Sequence, residues 1–503
     1  MTSVNYPFKL SKKFYYKAVF ALSFLLLCRL IAMYFVPLMD STESRYSEIA
    51  REMLRSNNWI TLFHHYGAPF LAKPPLSTWL TALSLKLFGL NELAVRLPSL
   101  LLSIGILWLV WFLAKKRNDS TVATVTVIFL SGGLYFYLNA GATMTDASLI
   151  FCTTTSMVAF WLSMASRSKG WSYIFFIALG LGLLAKGPIA TVLTAMPILT
   201  WVLLRKQWKE LWLNFPWIKG SFITLAIALP WYIMAEIRTP GFLNYFIIGE
   251  HFLRFFVPSW RGNMYGFSHA KPYGLIWIYG LIGLFPWSPI AGLWLLNHGK
   301  KLPSLLREKD QGWLLYLLLW AYLPLLFFTF SKNIIYTYVF PSLPAFALLF
   351  AELWKRTGIT ERNATRILYL TLVIGIAFLI TTTIIELTPG KIAKSQRPVV
   401  SLWKRQNPPN NTKLIYWATR LEYSAQFYSD GRALSTRNLY YLAFLFASNP
   451  NSYLVINSSE LIQIPQNLLS KFKQVAEIQF LRCKLLLLYN QERIEVSSLD
   501  LWR

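Results

Sequence analysis

Acidic residues are scarce in this chain: 22 Asp and Glu stand against 49 Lys and Arg, and charge of both signs makes up only 14% of the sequence. That poverty excludes an ordinary soluble domain, whose charged residues run to about a quarter of the total. Cysteine is equally sparse. Cys28 and Cys152 lie within apolar runs and Cys483 sits far along the tail, so neither a disulfide framework nor a Cys-based metal spacing exists. Fixed-period repeats and low-complexity tracts are lacking as well, which excludes repeat architectures.

What the chain has in abundance is apolar surface, with 55% hydrophobic and 17% aromatic residues, a composition that belongs to polytopic membrane proteins. Runs long and uncharged enough to cross a bilayer fall near 15–37, 94–114, 120–138, 146–166, 171–185, 188–204, 218–236, 272–297, 313–330, 334–353 and 367–387. They predict about eleven spans, and at most thirteen. The shorter stretch 75–90, "PLSTWLTALSLKLFGL", carries Lys86 and reads as an interfacial or re-entrant helix. The first run has no small-residue cleavage site and reads as an anchor.

Lysine and arginine set the orientation. With the amino terminus in the cytoplasm, the inner loops hold Lys9, Lys12, Lys13 and Lys17, then "KKR" at 115–117, "RSK" at 167–169, "RKQWK" at 205–209, "KKLPSLLREK" at 300–309 and "KRTGITERNATR" at 355–366. The long loops 38–93 and 237–271 then face outward, as do the short links 139–145 and 331–333. The net charge of +27 is thus largely a topology signal that also suits anionic lipid headgroups, and it gives no reason to invoke nucleic acid. The expected organisation is an all-α polytopic membrane domain over 1–387 and a small α/β domain over 388–503. In the latter, "KLIYW", "SYLVINS", "VAEIQF" and "CKLLLLYN" read as strands, while "LEYSAQFYS" and "NLYYLAFLFAS" read as helices. That domain lies outside the membrane and carries no motif of catalytic specificity.

The few acids are unevenly spent. Asp40, Glu43, Glu48 and Glu52 fall within thirteen positions of the first outer loop, interleaved with Arg45 and Arg51. From Glu43 onward the stretch fits an amphipathic helix with Tyr46, Ile49, Ala50 and Met53 on one face, and ordinary helix salt bridges explain Glu48, Arg51 and Glu52. Asp40 and Glu43 are less well explained that way, because they sit where the chain leaves the bilayer and can face a cavity. In "FLAKPPLSTW" two prolines fix an extended entry to the next helix and hold Lys73 in place, either snorkelling to the interface or awaiting a lipid phosphate. Asp146 opens a span, where it fits a helix cap, and Lys186 in "LLAKGPIA" fits a tight turn.

Further along, Glu250, His251, Arg254, Arg261, His269 and Lys271 alternate with aromatics, and "FSKNIIYTYVFPSLPA" places Ser331, Lys332, Asn333 and Tyr338 at the outer end of two spans. The adjacent His64 and His65 read as structural. All these patches share the outer face, whereas a transporter would place its charges near the midplane. A membrane enzyme with a substrate drawn partly from lipid is the economical reading.

In this order, "TESRYSEIAREM", "KPPL", "MTDASL", "EHFLRF", "FPWS" and "NIIYTYVFPSLPA" resemble the polyprenyl-phosphate-dependent glycosyltransferases of the C-type superfamily, in particular its aminoarabinose transferase and protein mannosyltransferase-like group. The resemblance implies a multi-span inner-membrane enzyme that moves a sugar from a polyprenyl-phosphate donor to an acceptor on the outer face, with inversion, and a monomer is expected. The acceptor implied is lipid A or another glycolipid ahead of protein. A lipid-linked sugar flippase is the competing class.

By the same resemblance Lys73 and Arg254 hold the carrier phosphate with help from Tyr338, and Arg45, Tyr46 and Lys271 line the substrate site. Asp40 or Glu43 acts on the acceptor or the sugar, and Asp146 completes the cavity. Two departures stand out: Thr42 occupies the position of the family's first-loop Asp, and Ala72 replaces the Glu before the lysine-diproline motif. The latter leaves His251 as a candidate ligand for any divalent cation.

Overall fold

A computed structural model describes residues 10–492 apart from 263, 266–269, 302–311, 358–359, 389 and 419–420. His269 and most of the basic loop 300–309 therefore lie outside the described residues. The chain is mainly helical as far as Leu387 and mixed beyond it. The first half runs α1 (Lys12–Phe35), α2 (Thr42–Ser56), α3 (Leu76–Phe88), α4 (Glu92–Arg117), α5 (Ser120–Ser131), α6 (Leu134–Asn139), α7 (Asp146–Ser166), α8 (Lys169–Lys186) and α9 (Pro188–Arg205). Between α2 and α3 the strands β1 (Phe63–His64) and β2 (Ala68–Pro69) form a small antiparallel pair.

Among the described residues seven helices are long and apolar enough to span a bilayer, or eight if one bent pair counts as a span. The expected run 272–297 is that pair: Leu275–Gly283 and Trp287–His298 meet at 98°. Pro286 stands between them and cannot supply the amide that a continuous helix needs. The run 120–138 is also broken, at Gly132 and Gly133 between α5 and α6. A Cβ on Gly132 would come within 2.7 Å of Trp287 and Thr371, so three elements approach closely there because the residue has no side chain. The helix α3, with 13 residues, is about 20 Å long and too short to cross, as expected for an interfacial element.

Buried aromatics set the core of the bundle. Trp161, Trp201, Trp313, Tyr316 and Phe160 pack at ring-centroid distances of 4.6–6.2 Å from one another. Three of their polar atoms find buried acceptors: Trp201 Nε1 donates to Gly312 O, Tyr316 Oη to Met157 O and Trp313 Nε1 to Glu352 Oε2. Such rings bury large areas and still satisfy their donors.

The last long helix, Glu361–Leu387, leads into a five-stranded sheet of β3 (Leu414–Trp417), β4 (Ala433–Thr436), β5 (Tyr453–Asn457), β6 (Phe472–Phe480) and β7 (Cys483–Asn490) in the order β4-β3-β5-β7-β6. The strand β3 pairs parallel with β4 and β5, and β7 runs antiparallel to β5 and β6. Alternation along β3 sends Ile415 and Trp417 to the face covered by Leu442 and Phe446, and Leu414 and Tyr416 to the face covered by Val399, Val400 and Trp403. A central strand covered on both faces is apolar throughout, as "LIYW" is.

This domain packs on α2. Phe427 joins Tyr46, Ile49, Ala50 and Met53 in one apolar cluster, and each aliphatic side chain so buried contributes about 1.5–3 kcal/mol. The polar face of α2 is covered as well. Glu48 and Arg51 form a two-point ion pair with both bonds at 2.8 Å, and Arg51 reaches Asp430 of the sheet domain at 3.2 Å. His65 stacks on Tyr423 at 3.8 Å and meets Gln426 at 2.6 Å, in keeping with a structural role.

Candidate active site

One cavity of about 1180 Å³ collects the polar ends of these elements. Its wall includes the start of α2, Lys73, the start of α7, the α8–α9 junction, the segments 250–255 and 331–341, and Lys394 and Glu422 from the sheet domain. The ten residues given a site role from the sequence all line it, namely Asp40, Glu43, Arg45, Tyr46, Lys73, Asp146, His251, Arg254, Lys271 and Tyr338, whereas Arg261 and Lys332 of the same charged patches do not. The ten come from positions up to 298 residues apart, counted from Asp40 to Tyr338.

Lys73 and Arg254 converge on one carboxylate oxygen. Pro74 and Pro75 fix the backbone ahead of α3, and Lys73 Nζ donates to Ala72 O at 2.7 Å and to Glu250 Oε2 at 3.1 Å. Arg254 Nη1 donates to the same oxygen at 2.8 Å. Glu250 and Arg254 are four residues apart at the end of a π-helix, Asn244–Leu253, and Asn333 pins that end by donating to Arg254 O at 2.6 Å and Val257 O at 2.8 Å. Burial works to raise the Glu250 carboxyl, but Lys73 and Arg254 outweigh it and hold its pKa down to about 2. Arg254 Nε is buried in the site without a partner. A donor left unsatisfied in a cavity wall is costly unless a ligand meets it.

A second pair lies beside it: Lys186 Nζ donates to Asp146 Oδ1 at 2.6 Å and stands 5.5 Å from the ring centre of Tyr338. Lys186 is therefore a site cation and more than a turn residue. Arg45 donates to Tyr265 O at 2.7 Å, lies over the rings of Tyr46 and Phe70, and leaves Nε buried without a partner.

The two first-loop acids differ sharply. Glu43 accepts two bonds from Arg96, at 2.7 and 2.8 Å, and one from Thr143 N at 3.3 Å. Burial acts to raise its pKa, yet Arg96 prevails and the carboxyl sits below its ordinary range. Asp40 accepts from Ser44 Oγ at 2.5 Å, from Ser424 N at 2.9 Å and from Ser424 Oγ. Burial, helped by the nearby Glu422 carboxylate, raises Asp40 to about 6 despite those donors.

His251, the expected candidate for a metal, lies between two backbone carbonyls on the cavity wall. Nδ1 meets Phe246 O at 2.8 Å and Nε2 meets Lys186 O at 3.2 Å, and burial lowers its pKa from the ordinary value. Both nitrogens are directed at carbonyls, and no group of three or more metal-ligating side chains exists among the described residues. Arg96, Glu250, Glu422 and Lys394 were not among the residues expected to form the site. Arg96 announces itself only by the charge it meets, Glu250 already stood in the charged patch beginning at 250 without a role, and the last two are brought in by a domain contact.

The crystal structure of ArnT from Cupriavidus metallidurans bound to undecaprenyl phosphate superposes with a TM-score of 0.73 over 93% of this chain and 97% of that one, at 18% identity, and establishes the fold. In sequence the chain is related to the undecaprenyl phosphate-alpha-4-amino-4-deoxy-L-arabinose arabinosyl transferases: 31% identical over 336 residues to that of Edwardsiella ictaluri and 32% over 345 to that of an Enterobacter species. Those matches cover 65% and 67% of this chain but only 57% and 59% of the relatives, so the chain spans under two thirds of their length. Residues 19–246 also match the dolichyl-phosphate-mannose-protein mannosyltransferase family.

Proposed function

We propose that this protein transfers a sugar from a polyprenyl-phosphate carrier to a glycolipid acceptor such as lipid A, at the outer face of a bacterial inner membrane. The convergence of Lys73 and Arg254 in a cavity of about 1180 Å³ rimmed by acids carries the reading. The related arabinosyl transferases, named for an undecaprenyl-phosphate sugar, support the donor class. The outward placing of the cavity rests on charge: α4 begins beside it and ends in Lys115, Lys116 and Arg117, about 38 Å away at 1.5 Å per residue.

The acceptor oxygen attacks the anomeric carbon while the bond from that carbon to the carrier phosphate breaks, and the phosphate leaves with the electron pair. Lys73 and Arg254 stabilise the charge it gains in a partly dry site. A hydroxyl acceptor must lose its proton, and Asp40, with a pKa near 6 and a place on the cavity wall, is the acid best suited to receive it. Glu43, locked to Arg96, holds the frame on the sugar side, and Asp146 with Lys186 completes it. A phosphate acceptor is already anionic and would use the same cavity for positioning alone. The test is incubation of purified protein with polyprenyl-phosphate sugars and membrane glycolipids. Mass spectrometry should find a glycosylated acceptor and free carrier phosphate in equal amounts, and movement of intact donor across the bilayer without either product would overturn the proposal.

A further inference from the structure

On that reading of the cavity, we infer that Glu250 is a resident counter-anion of the carrier-phosphate site, which matches the charge of the Lys73–Arg254 pair to the donor and hastens release of the product. Its side chain is 2% exposed, and a single oxygen, Oε2, accepts from both cations at 3.1 and 2.8 Å. Tyr245 Oη lies 3.4 Å from the other oxygen, and the carboxylate forms part of the cavity wall. The cations are not exhausted by it. Lys73 has three N–H donors and spends two, on Ala72 and Glu250, and Arg254 Nε is buried with none.

The arithmetic of charge is simple. Lys73 and Arg254 bring two positive charges and Glu250 removes one, leaving a site of net +1. The donor is a phosphodiester of charge −1. Transfer breaks the bond from the anomeric carbon to the phosphate oxygen and forms one to the acceptor oxygen. The acceptor proton goes to base or solvent, and the carrier becomes a phosphomonoester of about −1.5 to −2 at pH 7. A bare +2 site would hold that product more tightly than the donor and become a trap. With Glu250 in place, the second negative charge meets a carboxylate a few ångströms away as soon as the chemistry is over, and like charges at such distances repel in a protein interior far more than in water. Because release limits turnover in many enzymes, this repulsion helps the cycle even as it gives up some grip on the leaving group.

The test compares wild type with Glu250→Gln, which keeps the shape and removes the charge. The variant should bind polyprenyl phosphate on the order of tenfold more tightly, complete a first turnover at least as fast as wild type, and then turn over more slowly in steady state. Glu250→Asp should restore release. Weaker product binding together with a slow first turnover in Glu250→Gln would overturn the inference and leave Glu250 a prop for the cations. Should that variant not fold, wild type alone decides: its preference for polyprenyl phosphate over the sugar phosphodiester should stay below about tenfold, and a larger preference contradicts the inference. Failure of the site itself has a different signature, namely binding of either lipid that is indifferent to Lys73→Ala.

Discussion

Arg96 grips Glu43 through both carboxylate oxygens, at 2.8 and 2.7 Å, and its remaining hydrogens donate to the carbonyls of Met33, Val36 and Pro37. One buried guanidinium thereby ties the end of α1 to the start of α2. Replacing Arg96 with Ala leaves Glu43 with only the Thr143 amide and takes the side-chain donor from three carbonyls, and breaking such a buried pair costs about 3–5 kcal/mol. A thermal melt of the detergent-solubilised variant should show the drop, well beyond that of Arg55→Ala, which loses only an exposed partner of Glu52.

Asp40 should govern the acid limb of the pH–rate profile. As a base it acts deprotonated, so transfer to a hydroxyl acceptor should fall as pH drops through about 6. Glu422 is one of the groups that raise Asp40, and Lys394 holds Glu422 at 2.9 Å. Glu422→Gln should therefore move the limb to lower pH, while Asp40→Asn should abolish it and cut the rate by about 10²–10⁴.

Glu250 links the site to acid stability. Its pKa is depressed from 4.5 to about 2, so its contribution is fully present above 4.5 and is lost as pH falls towards 2. Unfolding measured across that window should steepen in wild type and flatten in Glu250→Gln.

Docking of the sheet domain depends on a glycine. Gly431 has φ of +73°, and a Cβ there would come within 2.7 Å of Arg51 Nη2. Gly431→Ala strains the backbone and pushes on the Glu48–Arg51 pair, at a cost of about 1–3 kcal/mol. Limited proteolysis should cut the variant earlier than wild type near 388–396, and its transfer rate should drop because Ser424, which supports Asp40, shifts with the domain.

Much of this was legible in the sequence wherever the signal is local. The helix over 42–56, its apolar face and its Glu48–Arg51 pair follow from helical spacing, and β3, β5, β6 and β7 from short β-branched and aliphatic runs. The strand β4 is four residues of "ALST", too short and polar to stand out, and exists because β3 offers a parallel edge. That the polar face of α2 is buried could not be read, since its cover at Asp430 lies 379 residues from Arg51. Lys186 looked like a turn residue for the same reason, its partner Asp146 being forty positions away. Of the bent pair at Pro286, only the proline was visible beforehand, inside an otherwise unbroken apolar run.

The most direct measurement is the rate of sugar transfer from polyprenyl-phosphate donors to membrane glycolipids by wild type, Lys73→Ala and Asp40→Asn, each shown to be folded. The account predicts a wild type that consumes donor, a Lys73→Ala variant slower by about 10²–10³ through loss of charge stabilisation at the leaving phosphate, and an Asp40→Asn variant that binds donor normally but fails with hydroxyl acceptors. A folded wild type that consumes no donor from the panel, or a Lys73→Ala variant as fast as wild type, would contradict it.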